Sequence, residues 1–225
     1  MTKFPFGIIG FDLDGTLVDT SGDLTAAVNH VLAGVGRPLL STEAVKQHIG
    51  GGAKLMLQQG LEATGGIPGY DFKPLYLQML SYYEANVSVH SRPFDGALEV
   101  LDQFDAMGVR YAVVTNKFES LAVKLLTDLD LAHRMGCILG ADTLGKKNAK
   151  PSGAPIFEMI KRCGGGSAAY VGDSIYDVMA AKNAGVPSVA VSFGFMHGPV
   201  AELRADAVID HFDELIGSLE RLALN

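Results

Sequence analysis

The sequence lacks the marks of several large functional classes. It contains no Lys/Arg-rich run and carries a formal charge of −7 at pH 7. The basic stripe of a nucleic-acid binder is missing, and no nucleic-acid partner is expected. No apolar stretch approaches the ~20 residues of a membrane span, so no membrane partner is expected either. The N-terminus runs straight into a strand-like segment, without the basic n-region and long h-region of a secretory signal. Only two cysteines occur, Cys137 and Cys163. They lack C-x-x-C spacing and a nearby histidine, and read as free, buried thiols of a reducing compartment; the expected location is the cytoplasm. The negative balance does not exclude an anionic substrate, because a metal ion and a few local cations can dominate one pocket.

What is present fits a globular chain. Hydrophobic residues make up 48% and charged residues 19% of 225 residues, enough for one large domain or two small ones. Glycine is abundant, at 27 residues, which points to tight turns, helix ends and close approaches of backbone to ligand.

The pattern along the chain has two parts. Phe6 to Phe11 is a short apolar run that reads as a buried parallel strand, followed by the polar loop Asp12-Leu13-Asp14-Gly15-Thr16. Residues 21 to 88 show helical stripes and no strand: Asp23 to Gly36, a helix starting at Ser41-Thr42, Lys54 to Ala63, and Pro74 to Val87. After Pro93 helices and strands alternate, with strands expected at Arg110–Thr115, Cys137–Leu139, Ala168–Val171, Pro187–Val191 and Ala207–Ile209. Alternation of this kind implies α/β architecture: a Rossmann-like, doubly wound parallel sheet with an inserted all-helical cap domain. The expected boundaries are residues 1–17 and 91–225 for the core and 18–90 for the cap. Ligands of such sheets bind beyond the carboxyl ends of the strands, where Asp12, Thr115-Asn116 and Gly172-Asp173 fall.

Chemistry concentrates at those ends. Asp12 and Asp14 are two carboxylates placed just beyond a buried strand, and they repel each other unless a cation lies between them. Mg²⁺ suits that position, since it takes a few carboxylates, waters and phosphate oxygens. A carboxylate can also attack phosphorus, while its neighbour handles the proton. At about 5–7% per residue type, a chance D-x-D-G-T appears in roughly a few chains per thousand of this length. Thr115 and Asn116 end an apolar strand with a hydroxyl and an amide able to hold a phosphate oxygen, though strand-end Thr and Asn also serve as turn residues. Lys150, in a loop before Pro151, offers a compact charge for phosphate. Asp173 lies where a metal ligand is needed, and Asp177, one helical turn on, could hold a metal-bound water or orient Lys150. Read singly, these acids are equally consistent with helix capping. Asp19 reads as a cap or hinge of the first helix of the insert. Lys54 and His197 read as a solvent-facing lysine and a turn residue, and Lys117 stands open between surface and site.

The segments FDLDGT, VVTN, AKP and VGDSIYD resemble the four motifs of the haloacid dehalogenase superfamily, and the likeness covers essentially the whole chain. The resemblance implies a phosphatase with a small helical cap. Asp12 would be the nucleophile, forming an aspartyl-phosphate, and Asp14 the general acid/base. Thr115, Asn116 and Lys150 would hold the substrate phosphate. Mg²⁺ would be bound by Asp12, the Asp14 carbonyl and Asp173, with Asp177 behind them. Asp14 argues against a dehalogenase, which lacks that residue. Ile49-Gly50-Gly51-Gly52-Ala53, Thr115-Asn116-Lys117 and Phe193-Gly194 with Ala205 to Asp210 are similar to the bacterial phosphoglycolate phosphatases. Two departures stand out. Gly51 occupies a position where those enzymes often have Asn, and Gly153 one where they often have Pro. The expected substrate is thus a small phosphorylated metabolite, 2-phosphoglycolate first, and the expected assembly a monomer or homodimer. The rival readings are a phosphatase for another sugar phosphate or nucleotide, a β-phosphoglucomutase-like mutase, and a non-catalytic metal- and phosphate-binding module.

Overall fold

A computed structural model describes residues 4–67, 69, 71–195 and 198–224. The chain divides into two compact units, Met1–Asp19 with Pro93–Asn225, and Thr20–Arg92. The crossings therefore fall at 19/20 and 92/93 rather than at 17/18 and 90/91.

The first unit is built on strand β1 (Ile8–Phe11), whose sequence IIGF is buried throughout. Two short strands follow in chain order, β2 (Val18–Asp19) and β3 (Arg92–Pro93), which pair with each other. The remaining strands are β4 (Arg110–Val114), β5 (Ile138–Leu139), β6 (Ala168–Gly172), β7 (Ser188–Val191) and β8 (Ala207–Ile209). Six of them form one parallel sheet in the order β5-β4-β1-β6-β7-β8. Counted along the chain, that order is 3-2-1-4-5-6, the doubly wound arrangement. The chain first winds outward through β4 and β5 and then returns to the other side of β1 for β6. The reversal places β1 between β4 and β6, so the ends of these three strands face one crevice.

Alternation along β1 explains why both faces are covered. Ile8 points into a cluster with Ala112, Val114, Ala168, Tyr170 and the helix residues Ile156, Met159, Ala180 and Ala181. Phe11 points the other way, toward Phe104 and Phe212 at ring separations of 6.4 and 6.3 Å. Burying each such side chain contributes about 1.5–3 kcal/mol. The α-helices of this unit, numbered in chain order after the four of the insert, are α5 (Ala97–Met107), α6 (Glu119–Asp128), α7 (Ala154–Arg162), α8 (Ile175–Ala184) and α9 (Leu215–Leu222). The first strand begins two residues later than its apolar run suggests, because Phe6 is buried ahead of the ladder without joining it.

The second unit is helical: α1 (Ser21–Gly34), α2 (Thr42–Lys46), α3 (Ala53–Ala63) and α4 (Phe72–Ala85). The N-cap of α2 is Ser41, whose side chain accepts from Ala44 N–H. Asp71 does the same for α4 toward Lys73 N–H, which starts that helix before Pro74. At the start of α1 the N-cap position is Thr20 rather than Asp19, and Asp23 stands in the first turn. Asp23 is buried and accepts hydrogen bonds from His90 N, Ser91 N and Ser91 Oγ, tying the two ends of the insert together. Lys54 is exposed, as is Gly51. Among the described residues, no helix is long and apolar enough to cross a membrane.

The two cysteines are free, and Cys137 packs against the core cluster that contains Cys163. Cys163 is buried, whereas Cys137 is half-buried and not the enclosed thiol expected of it. It sits one residue before the edge strand β5, where packing comes from one side only.

Candidate active site

The site grows from three strand ends. Parallel registration aligns Phe11 with Val113 and Val171, and Asp12 N–H continues the ladder to Val171 O at 2.9 Å. Asp12 is thereby fixed at the end of the central strand, almost fully buried. Beyond it the chain turns at Gly15, with φ +84°. A Cβ on Gly15 would stand 2.3 Å from Asp173 Oδ2, so only glycine allows the loop to close over that carboxylate. Thr16 Oγ1 donates to Asp173 Oδ1 at 3.3 Å, and Phe195 N–H donates to Asp173 Oδ2 at 2.7 Å.

Asp173 follows β6, and Ser174 caps α8. Ser174 N–H and its hydroxyl both donate to Asp177 Oδ2, the reciprocal half of a capping box. The other oxygen of Asp177 receives Lys150 Nζ at 2.5 Å. Gly172 makes this possible, since a Cβ there would lie 2.3 Å from Asp177 Cβ. Lys150 Nζ also lies 2.8 Å from Asp12 Oδ1, an ion pair whose angle falls short of a hydrogen bond. It donates at 3.1 Å to Tyr170 Oη, which donates in turn to Val114 O. Asn116 Nδ2 holds the lysine loop by donating to Lys150 O at 3.2 Å. Thr115 is buried, and its Oγ1 accepts from Lys117 N–H.

Asp14 is served by a second lysine. Lys117 Nζ lies 2.7 Å from Asp14 Oδ1 and 2.9 Å from Oδ2. Of the residues weighed in the sequence, Asp12, Lys150 and Asp177 meet in one buried group with Asp173 beside them and Asn116 on the Lys150 carbonyl, while Asp14 and Thr115 meet through Lys117 in a second group. His197 lies outside the described residues. Thr16 and Tyr170 are members to which the sequence alone assigned no role. Thr16 sits inside the FDLDGT segment, where the acids drew the attention; Tyr170 hides in a run that reads as plain strand.

Electrostatics divide the carboxylates. Burial, then the nearby Asp177 charge, pushes Asp12 up to about 7, against the pull of Lys150. Burial, with the charges of Asp177 and Asp12, holds Asp173 well above the usual carboxylate range. Lys150 is held well above its ordinary value: its burial works the other way, but the Asp12 and Asp177 charges outweigh it. Ligand oxygens of Asp12, Asp173 and Asp177 lie within 4.8 Å of one another. Four carboxylates here face two ammonium groups, an excess that one divalent cation would balance. An all-oxygen donor set of this charge fits a hard cation.

The family model for haloacid dehalogenase-like hydrolases matches residues 9–191, a span that carries all four carboxylates and both lysines of the site. The chain belongs to the haloacid dehalogenase-like hydrolases. A phosphoglycolate phosphatase of Agrobacterium fabrum is 39% identical over 224 residues, covering 97% of this chain and 95% of that protein. One from Caulobacter vibrioides is 39% identical over 207 residues, covering 91% and 86%. The crystal structure of a predicted phosphoglycolate phosphatase from Haemophilus somnus superposes with a TM-score of 0.86 at 31% identity, covering 94% of this chain and 97% of that one. This hydrolase therefore shares its overall fold with the Haemophilus structure.

Proposed function

We propose that this hydrolase cleaves phosphoric monoesters, with 2-phosphoglycolate as its substrate, through a phosphoryl group carried on Asp12. The observation that carries the reading is the pairing at the end of β1: a buried carboxylate 2.8 Å from the Lys150 ammonium, with a second carboxylate two residues on gripped by its own lysine. The names of the relatives in Agrobacterium and Caulobacter supply the substrate.

The chain's own residues divide the work. The Asp12 carboxylate attacks phosphorus in line, forming the Asp12 O–P bond as the ester P–O bond breaks. The departing alkoxide takes a proton from the Asp14 carboxyl. In the second half Asp14 removes a proton from water, whose oxygen attacks the phosphorus and releases inorganic phosphate and the Asp12 carboxylate. Lys150 neutralises phosphoryl oxygens and is itself aimed by Asp177 and Tyr170. The Thr115 hydroxyl accepts from Lys117 N–H and so keeps its own proton to donate to a phosphoryl oxygen. Asn116 orders the lysine loop. Asp12, Asp173 and the Asp14 carbonyl are the groups that would hold Mg²⁺, with Asp177 fixing Lys150 behind them. The bound ion would neutralise developing phosphoryl charge as a Lewis acid. The helical unit, residues 20–92, is the natural candidate for the cap that selects the leaving group.

The test is phosphate release from a panel of small esters that includes 2-phosphoglycolate, with and without Mg²⁺. Dominant kcat/KM for 2-phosphoglycolate is the expected result. Turnover spread over sugar phosphates or nucleotides would keep the chemistry and remove the substrate. No release from any ester would remove the reading.

A further inference from the structure

Two lysines stand among the site's carboxylates, and they are kept apart. Lys150 is engaged by Asp12, Asp177 and Tyr170. Lys117 reaches Asp14 with both carboxylate oxygens in range, at 2.7 and 2.9 Å, and its side chain is only 5% exposed. The grip is set by the backbone as well. Lys117 N–H donates to Thr115 Oγ1 at 3.1 Å, and Lys117 O accepts from Ala141 N–H at 2.9 Å. The segment also presses against Gly140, where a Cβ would meet Lys117 O at 2.7 Å and Glu119 N at 2.2 Å. The stem of this lysine is therefore held at both ends, and its ammonium is a fixed point rather than a swinging surface charge.

A charge-assisted contact from one ammonium to both oxygens fixes the place of a carboxylate head. Nearby, the ligand oxygens of the three buried acids Asp12, Asp173 and Asp177 lie within 4.8 Å of one another, a group that does not include Asp14. We infer that Lys117 is a positioning residue for the proton-transfer step: it holds the Asp14 carboxylate out of the Asp12–Asp173–Asp177 cluster and aims it at the leaving oxygen. The inference rests on the proposed phosphatase reading and adds to it the group that makes Asp14 usable.

The role separates Lys117 from a phosphate-binding lysine. Misplacing a catalytic carboxylate costs kcat, whereas losing a phosphate contact raises KM. The experiment measures kcat, KM and the Mg²⁺ activation constant with 2-phosphoglycolate and 4-nitrophenyl phosphate for wild type, Lys117→Met, Lys117→Arg, Asp14→Asn and the Asp14→Asn/Lys117→Met double variant. Acid–base catalysis supplies about 10²–10⁴-fold, so Lys117→Met is expected to lower kcat by about 10-fold or more while KM and Mg²⁺ activation move less than about 3-fold. Lys117→Arg, which keeps a bidentate donor, is expected to recover most of that loss. In the Asp14→Asn background Lys117→Met is expected to cost less than about 2-fold further, because it acts through Asp14. Circular dichroism melts of each variant separate misfolding from misplacement, and the Lys117→Arg recovery holds the proposal to account even if Lys117→Met is unstable. A raised KM with kcat kept, or a full additional loss in the Asp14→Asn background, overturns the positioning role and leaves the phosphatase reading intact. A wild type that hydrolyses none of the esters overturns both.

Discussion

Asp177 and Lys150 meet at 2.5 Å with their side chains 1% and 2% exposed, 27 residues apart in the chain. The contact joins the start of α8 to a loop that precedes α7. It also decides which way the lysine points, because Asp12 lies on the same ammonium. Removing one partner of a buried pair strands the other, at about 3–5 kcal/mol. Lys150→Met is therefore expected to destabilise the protein by a few kcal/mol and to abolish detectable turnover. Asp177→Asn is expected to be milder, since an amide oxygen can still accept from Lys150. Urea titration and steady-state rates check both. Equal losses in the two variants would mean that the charge of Asp177, rather than its geometry, is what Lys150 needs.

Asp12→Asn separates stability from function. The substitution removes the nucleophile, so turnover and any phosphoprotein mass shift on mixing with substrate should vanish. It also removes a buried carboxylate whose ionisation is opposed by burial and by Asp177. In EDTA at pH 8 the variant is thus expected to melt at or above the wild-type temperature. A stable but inactive protein meets the expectation; one retaining near-normal rates would sink the nucleophile assignment.

The same residues explain how far the sequence could be read. The strand β1 and its acids are legible because an apolar run ending in D-x-D-G-T states both burial and chemistry within a dozen residues. Asp173 and Asp177 are legible for the same reason. Their division of labour is not, because it depends on Gly172 letting Asp177 press against the strand and on Lys150 arriving from a distant loop. Lys117 lies 103 positions from Asp14, and although the Thr115-Asn116-Lys117 stretch marks it, nothing local states that its ammonium reaches that carboxylate. Cys137 and Cys163 likewise show no motif spacing, yet β5 and the end of α7 bring them together. Gly153, a departure from the expected proline, has a packing cause. A Cβ there would stand 2.7 Å from Ala184 N and from Asn183 C, the backbone at the end of α8.

Acidity and metal binding should be linked through Asp12. Its folded value of about 7 stands above the ordinary 3.8, and Asp173 moves in the same direction. Between those values the folded chain keeps a proton that the unfolded chain has released. Stability from this source is therefore complete below about pH 4 and is lost as pH rises through 7. In EDTA the melting temperature is expected to fall across that window, by an amount corresponding to a few kcal/mol. Mg²⁺ binds the ionised acids and should counter the fall, so the Mg²⁺-induced rise in melting temperature should be larger at pH 8 than at pH 5. Thermal melts with and without Mg²⁺ at four pH values test this. A Mg²⁺ effect that is flat with pH, or larger in acid, would remove the acid cluster as the ion's site.

The helical unit carries its own test at Asp23. This carboxylate is 1% exposed and takes His90 N on both oxygens at 3.0 Å, with Ser91 N at 2.9 Å and Ser91 Oγ at 2.7 Å on Oδ2. The partners lie 67 and 68 positions away, so no local pattern announces the contact, and it closes the loop of chain between the first and last residues of the unit. Each donor left unpaired costs about 1–3 kcal/mol. Asp23→Ala is expected to lower stability by about 3 kcal/mol or more, and Asp23→Asn, which keeps one oxygen acceptor, by about half as much. Local opening should precede global unfolding, because these bonds join segments that enter and leave the unit rather than its helices. Hydrogen exchange is the direct measurement. In Asp23→Ala the amides of His90 and Ser91 should lose protection well before those of β1. Uniform loss across both units would show that Asp23 stabilises the whole chain rather than the closure of its insert.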